Sequence, residues 1–212
     1  MPVSAVILAG GQGERFGTKK QFVEFQGLPL WMHVYSKCNE ALVDFERIVI
    51  VGVKQPHPMF PDNVVFMDRG GKTRQDSVFY GLHKIGEAER VVILEAARPL
   101  VSKEQIVTIA EDNHDSTSFV APAVETIIYK GQHLDRQQCE ILQVPQAFDS
   151  WRLIRAHMDT GLSDATDDTI LMRQRWGIVP HLIPGGRNLH KVTYPHDIKV
   201  LEHIDEDLNN RW

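Results

Sequence analysis

The sequence predicts an α/β fold: a mainly parallel twisted sheet with helices on both faces, plus a protruding β-hairpin arm. Three observations lead there. Short apolar runs at residues 3–8, 47–53, 64–67, 91–94 and 118–122 read as buried strands. Helical patterns separate them through the first two thirds of the chain, and such alternation belongs to a parallel sheet covered on both faces. Between residues 125 and 148 the alternation breaks, and two strand-like pieces flank a polar stretch instead.

Taken in order, the first strand is Val3-Ser4-Ala5-Val6-Ile7-Leu8; it opens without a basic region and does not read as a signal peptide. Residues 29–42 place Leu30, Trp31, Val34, Tyr35, Cys38 and Leu42 on one helical stripe. Residues 75–85 and 103–112 also fit helices. Strand-like segments at 126–129 and 141–144, joined by polar residues 130–140, form the expected arm, inserted over residues 125–146. Helices near 150–158 and 167–175, a strand at 178–183 and a helix after Pro195 complete the chain.

At 212 residues, with 42% hydrophobic and 24% charged content, the chain suits one domain over residues 1–212. A net charge of −5 argues against a nonspecific nucleic-acid binder, which needs a basic surface. No apolar run approaches the roughly 20 residues that span a bilayer. Cys38 and Cys139 read as reduced thiols, which implies a cytoplasmic setting. The ten histidines show no metal-ligand spacing on one helix face, and His181, His190, His196 and His203 read as surface or packing residues.

The most informative segment is Leu8-Ala9-Gly10-Gly11-Gln12-Gly13-Glu14-Arg15-Phe16-Gly17, followed by Thr18-Lys19-Lys20-Gln21. Glycines after a buried first strand let the backbone approach a ligand and present N–H groups to phosphate oxygens. Arg15 and Lys20 add positive charge beside those amides. The P-loop pattern is absent, and Gly11, Gly13 and Gly17 are spaced one residue too long for a dinucleotide fingerprint. The following strand ends Val51-Gly52-Val53, without the acid that would hold a ribose, which disfavours a nicotinamide oxidoreductase.

This loop resembles that of the cytidylyltransferases acting on methylerythritol phosphate and ribitol phosphate. Further stretches match in the same order. Gly70-Gly71-Lys72-Thr73-Arg74-Gln75-Asp76-Ser77-Val78 is similar to the family's cytosine-recognition loop, and Glu95-Ala96-Ala97-Arg98-Pro99 to the segment carrying its metal-binding carboxylate. Pro145-Gln146-Ala147-Phe148, Thr166-Asp167-Asp168 and Lys191-Val192-Thr193 match family landmarks beyond the arm.

The resemblance implies a Rossmann-like fold of the nucleotide-diphospho-sugar transferase type. It also implies transfer of CMP from CTP, with Mg²⁺, to a small phosphate-bearing acceptor. A phosphate oxygen would attack the α-phosphorus and expel pyrophosphate. The attacking phosphate is already an anion at neutral pH, so catalysis should rest on positioning and charge neutralisation. In the roles the resemblance implies, Arg15 and Lys20 contact the triphosphate and Lys191 assists at the α-phosphate. Ala9, Gly10, Gly11, Gly13, Gly71, Lys72, Ser77, Ala97 and Arg98 bind the nucleotide, and Glu95 binds the metal. Thr126 and Arg136, on an arm that reaches into a second subunit of a homodimer, hold the acceptor phosphate; the planar arginine fork suits that task.

Three departures stand out. Glu95 replaces an aspartate, Val144 replaces a threonine near the acceptor, and Asn188 lies one place earlier than the family's asparagine. All fall at the metal or acceptor side, so CTP is better supported than the acceptor. Methylerythritol 4-phosphate, ribitol 5-phosphate, a phosphonate, and a CTP-binding homologue impaired in catalysis all remain open at this point.

Overall fold

The computed structural model describes residues 1–56, 60–159, 161–162 and 165–210. In chain order the elements are β1 (Val3–Leu8), β2 (Glu24–Phe25), β3 (Leu28–Pro29), α1 (Leu30–Glu40), β4 (Phe45–Val51), β5 (Val64–Met67), α2 (Arg74–Leu82), β6 (Arg90–Glu95) and α3 (Lys103–Glu111). They continue with β7 (Ser116–Pro122), β8 (Ile127–Tyr129), β9 (Gln132–Leu134), β10 (Glu140–Asp149), α4 (Ser150–His157), α5 (Asp168–Trp176), β11 (His181–Pro184) and α6 (Asp197–Asn209).

The main sheet has seven strands in the order β11-β7-β10-β6-β1-β4-β5. Pairings β6–β1, β1–β4, β4–β5 and β7–β11 are parallel, whereas β10 runs antiparallel to both β6 and β7. Successive strand residues face opposite sides, and both sides are filled. Ala5, Ile7, Ile48, Ile50, Val92 and Leu94 pack with Trp31 and Val34 of α1 and Ile106 and Ile109 of α3. Val6, Val49, Val51, Val91 and Ile93 pack with Val78 and Leu82 of α2, Leu153 of α4 and Met172 of α5. Burial on both faces is why these strands read as continuous apolar runs.

Helix starts are fixed locally. Thr73 and Asp76 form a capping box at α2, and Ser102 and Gln105 form one at α3, so that two of the orphan N–H groups at each start are satisfied reciprocally. On α1 the buried stripe is Leu30, Trp31, Val34 and Cys38. Leu42 does not belong to it: the helix ends at Glu40, and Leu42 is 93% exposed.

The arm differs from the sequence expectation. Its hairpin is β8 paired with β9, closed by a two-residue turn at Lys130 and Gly131, both with positive φ. Residues 141–144 are not its return strand; they belong to β10, inside the main sheet. The true return strand, Gln132-His133-Leu134, is exposed throughout and so carries no apolar signal.

Candidate active site

The parallel strands deliver their carboxyl ends to one edge of the sheet, where ligand sites of open α/β sheets collect. There the turns after β1, β4 and β5 touch backbone to backbone. A Cβ on Gly52, which has φ +97°, would lie 2.2 Å from Gly10 Cα, and a Cβ on Gly10 would lie 2.6 Å from Gly70 Cα. Side chains at these positions would force the three loops apart. Gly13 shapes the loop instead, with φ +72° and its carbonyl accepting from the N–H groups of Phe16 and Gly17.

The loops enclose a cleft of about 310 Å³. Ala9, Gly10, Gly11, Arg15 and Lys20 line one wall, Gly71, Lys72 and Ser77 another, with Glu95, Ala97 and Lys191 completing it. Ser77 Oγ accepts from Gly71 N–H at 3.0 Å and donates to the Thr73 carbonyl at 3.0 Å, so it ties the second loop to α2 while Thr73 caps the helix. Gly13, Arg98, Thr126 and Arg136 do not line this cleft. Arg98 lies behind the wall, its guanidinium donating to the Leu189 carbonyl. Thr126 and Arg136 are exposed on the arm, and Arg136 donates to the Val124 carbonyl at 2.8 Å.

Glu95, the last residue of β6, is the centre of charge. Lys191 Nζ is 2.8 Å from its Oε2, Arg98 Nε 3.6 Å from Oε2, and Arg74 Nε 3.3 Å from Oε1. Burial alone would raise the Glu95 pKa, but Lys191, Arg74 and Arg98 outweigh it and bring it down to about 2. Around Oε2 the contacts are ionic: Lys191 lies within hydrogen-bond distance and Arg98 farther off. Lys20 donates to the Val192 carbonyl at 2.7 Å, and its pKa is lowered by burial and then by Lys191 and Arg15, against the pull of Glu95 and Asp197.

Arg74 is the residue that sequence reasoning passes over. It lies within the quoted loop and lines the cleft, and it joins Glu95 to Asp168 (Nη1 to Oδ2, 2.6 Å). Its position as the first residue of α2, just after the Thr73 cap, is the available signal. Gln21 is missed as well; its Nε2 donates to the Gly11 carbonyl at 3.2 Å and braces the glycine loop. The displaced Asn188 has a packing task, donating to Leu100 O and Gln105 Oε1. Val144 is buried in β10, outside the cleft lining.

Could Glu95 hold Mg²⁺? The donor set fits: a hard carboxylate on the cleft wall, kept ionised by its cationic neighbours, leaves the remaining positions to phosphate oxygens and water, as is usual for this ion.

A glycine loop after the first strand, a cationic cleft around one buried acid, and this sheet define a nucleotidyltransferase. More narrowly, the family described as IspD: 2-C-methyl-D-erythritol 4-phosphate cytidylyltransferase matches residues 3–206, and the chain belongs to that family. It is 33% identical over 215 residues to the 2-C-methyl-D-erythritol 4-phosphate cytidylyltransferase of Aquifex aeolicus (strain VF5), covering 95% of this chain and 96% of that protein. The crystal structure of the Thermus thermophilus enzyme of the same name superposes with a TM-score of 0.77 at 27% identity, covering 97% of this chain and 100% of that one. A bifunctional IspD/IspF enzyme of Campylobacter jejuni is 30% identical over 94% of this chain; there the chain spans only 54% of the relative's length. Among the described residues no helix is long and apolar enough to cross a membrane.

Proposed function

We propose that this chain transfers CMP from CTP to 2-C-methyl-D-erythritol 4-phosphate and releases pyrophosphate. Membership of the family supports that acceptor over ribitol 5-phosphate, a phosphonate or an inactive homologue. The observation that carries the reading is the crowding of Arg15, Lys20 and Lys191 in one cleft, where burial first, and then Lys191 and Arg15, lower the pKa of Lys20. Cations that oppose one another gain from a polyanion, and a triphosphate is one.

In this mechanism the amides of Gly10 and Gly11, with Arg15 and Lys20, hold the triphosphate. An acceptor phosphate oxygen forms a bond to the α-phosphorus, the bond from that phosphorus to the bridging oxygen breaks, and pyrophosphate leaves. Lys191 offsets charge on the α-phosphate. Gly71, Lys72 and Ser77 face the base, and Ala97, with Arg98 behind it, supports the nucleotide. Mg²⁺, bound by Glu95, would neutralise charge on the phosphates.

The arm is read as a clasp between two copies of the chain. Val124, Ile128, Tyr129 and Leu134 are exposed on it, and a lone two-stranded hairpin is marginal in water. In the dimer Thr126 and Arg136 would serve the partner's cleft and hold the acceptor phosphate. The free thiols of Cys38 and Cys139 support a cytoplasmic setting.

The test is pyrophosphate release with each nucleoside triphosphate against methylerythritol 4-phosphate, ribitol 5-phosphate and a phosphonate. CTP with methylerythritol 4-phosphate should be turned over, and Lys20→Ala should slow it by roughly 100-fold. Equal turnover with UTP or ATP overturns the cytosine assignment; preference for another acceptor overturns the choice of substrate.

A further inference from the structure

At the opposite end of the sheet from the cleft, three elements bring together Asp112, at the end of α3, His114, in the lead-in to β7, and His181, the first residue of β11. His114 Nδ1 is 3.0 Å from Asp112 Oδ1, and His181 Nδ1 is 2.8 Å from Oδ2. The two rings lie against one another, with centroids 4.0 Å apart and planes tilted by 32°. Read along the sequence these histidines have no ligand spacing; the parallel pairing of β11 with β7, which sets His181 opposite Thr117, creates the group. It is the one cluster among the described residues in which three such groups offer ligand atoms within 4.8 Å of one another.

We infer that Asp112, His114 and His181 bind a borderline divalent transition-metal ion of the Zn²⁺ type, as a staple holding the edge strand β11. Tetrahedral bonds of roughly 2.1 Å put two donor atoms about 3.4 Å apart; the imidazoles now hydrogen-bond the carboxylate at 3.0 and 2.8 Å, so each ring has only to open by about half an ångström for an ion to replace the shared proton. The carboxylate is already oriented: Thr117 Oγ1 donates to Oδ1 at 2.6 Å and the His114 backbone N–H donates to it at 3.0 Å. Such outer contacts aim a ligand before an ion arrives. Both imidazoles are substantially exposed, so an ion and its waters can reach them.

The ion class follows from the donors and from a neighbour. Imidazole nitrogens favour Zn²⁺, Ni²⁺ or Cu²⁺ over Mg²⁺ or Ca²⁺. Arg90 Nη2 lies 3.8 Å from Asp112 Oδ1, although that guanidinium is largely engaged by the carbonyls of Ile109 and His114. Its charge opposes a hard cation held by electrostatics alone, and less so one bonded to two imidazoles. The site is separate from catalysis: Arg90 and Glu95 stand at opposite ends of β6, about 16 Å apart at strand rise.

The experiment uses tag-free full-length protein treated with a chelator and then dialysed. Zn²⁺ titrated by calorimetry should bind one ion per chain and raise the melting temperature, whereas Mg²⁺ in the absence of nucleotide should do neither. His181→Gln and His114→Ala should each weaken Zn²⁺ binding at least tenfold and abolish the Zn²⁺-dependent rise in melting temperature. Both should leave CMP transfer unchanged. Absence of Zn²⁺ binding by the unaltered protein overturns the inference, and so does binding that survives both substitutions, which would place the ion elsewhere.

Discussion

Arg74 grips two buried carboxylates, and they are not alike. Asp168 is 1% exposed, with Oδ2 accepting from Arg74 at 2.6 Å and Oδ1 contacting His157 Nε2 at 2.9 Å. Both of its oxygens are engaged, and His157 is in turn stacked on Phe79 of α2, so Asp168 braces α2, α4 and α5 together. Glu95 is equally enclosed by cations, but it lines the cleft together with Lys191, the partner of its Oε2, whereas Asp168 does not line it. The same arginine thus separates a carboxylate used for structure from one held ready for a ligand.

The largest effect expected from breaking this comparison is on the cleft side. Glu95→Gln should lower turnover by roughly 100-fold or more, the scale of removing a charge-stabilising group, and should remove dependence on Mg²⁺. It also leaves Lys191, Arg74 and Arg98 facing one another without their shared anion, so the variant should be less stable and CTP should restore part of the loss. Steady-state rates across a Mg²⁺ series, with melting curves with and without CTP, check this; a fully active glutamine variant would remove Glu95 from the reaction.

On the brace side the order reverses. Asp168→Asn strands the guanidinium of Arg74 and should cost about 3 kcal/mol or more of stability, as breaking one partner of a buried pair does. Turnover should fall less than in Glu95→Gln, because Arg74 keeps its contact with Glu95. Urea midpoints and rates measured on the two variants together decide between these outcomes. If Asp168→Asn hurts turnover more than stability, the division between brace and ligand group fails.

Much of the fold and most of the cleft lining are legible in the amino-acid sequence. Strands buried on both faces announce themselves, as β1 and β6 do, because both faces need apolar residues and polar ones enter only with a partner, as Ser4 does through the Ile85 carbonyl. The glycine loop is legible for a related reason: only glycine permits the contact of Gly10 with Gly52. Legibility fails where the determining partner lies far along the chain. Arg74 acquires its meaning from Glu95 and Asp168, which are 21 and 94 residues away. His181 meets Asp112 across 69 residues. The arm fails for the opposite reason: β9 has nothing to bury against within one chain, so no periodicity marks it. The apolar run at residues 141–144 then reads as the hairpin's second strand, although it belongs to the sheet.

The smallest and sharpest expected effect is the pH dependence that Asp168 confers. Burial pushes its pKa upward, but the Arg74 charge and the bonds from His157 and Arg74 outweigh that and hold it below the ordinary carboxylate value. A depressed folded-state value means that the unfolded chain binds the proton first, at about 3.9 for an unperturbed aspartate. Between that value and the lower folded one, stability must rise with pH. The contribution is complete above about pH 4–5 and is lost as pH falls through the folded value, with a slope of at most about 1.4 kcal/mol per pH unit for one proton. Other acids titrate in the same range, so the test is the difference between the unaltered protein and Asp168→Asn, measured by urea unfolding from about pH 6 downward. That difference should be flat near pH 6 and shrink below about pH 4, since asparagine has no proton to gain. A difference that stays constant to the lowest pH at which the protein is folded would mean that the charge on Asp168 is not what holds Arg74, and the contrast with Glu95 would then rest on hydrogen bonds alone.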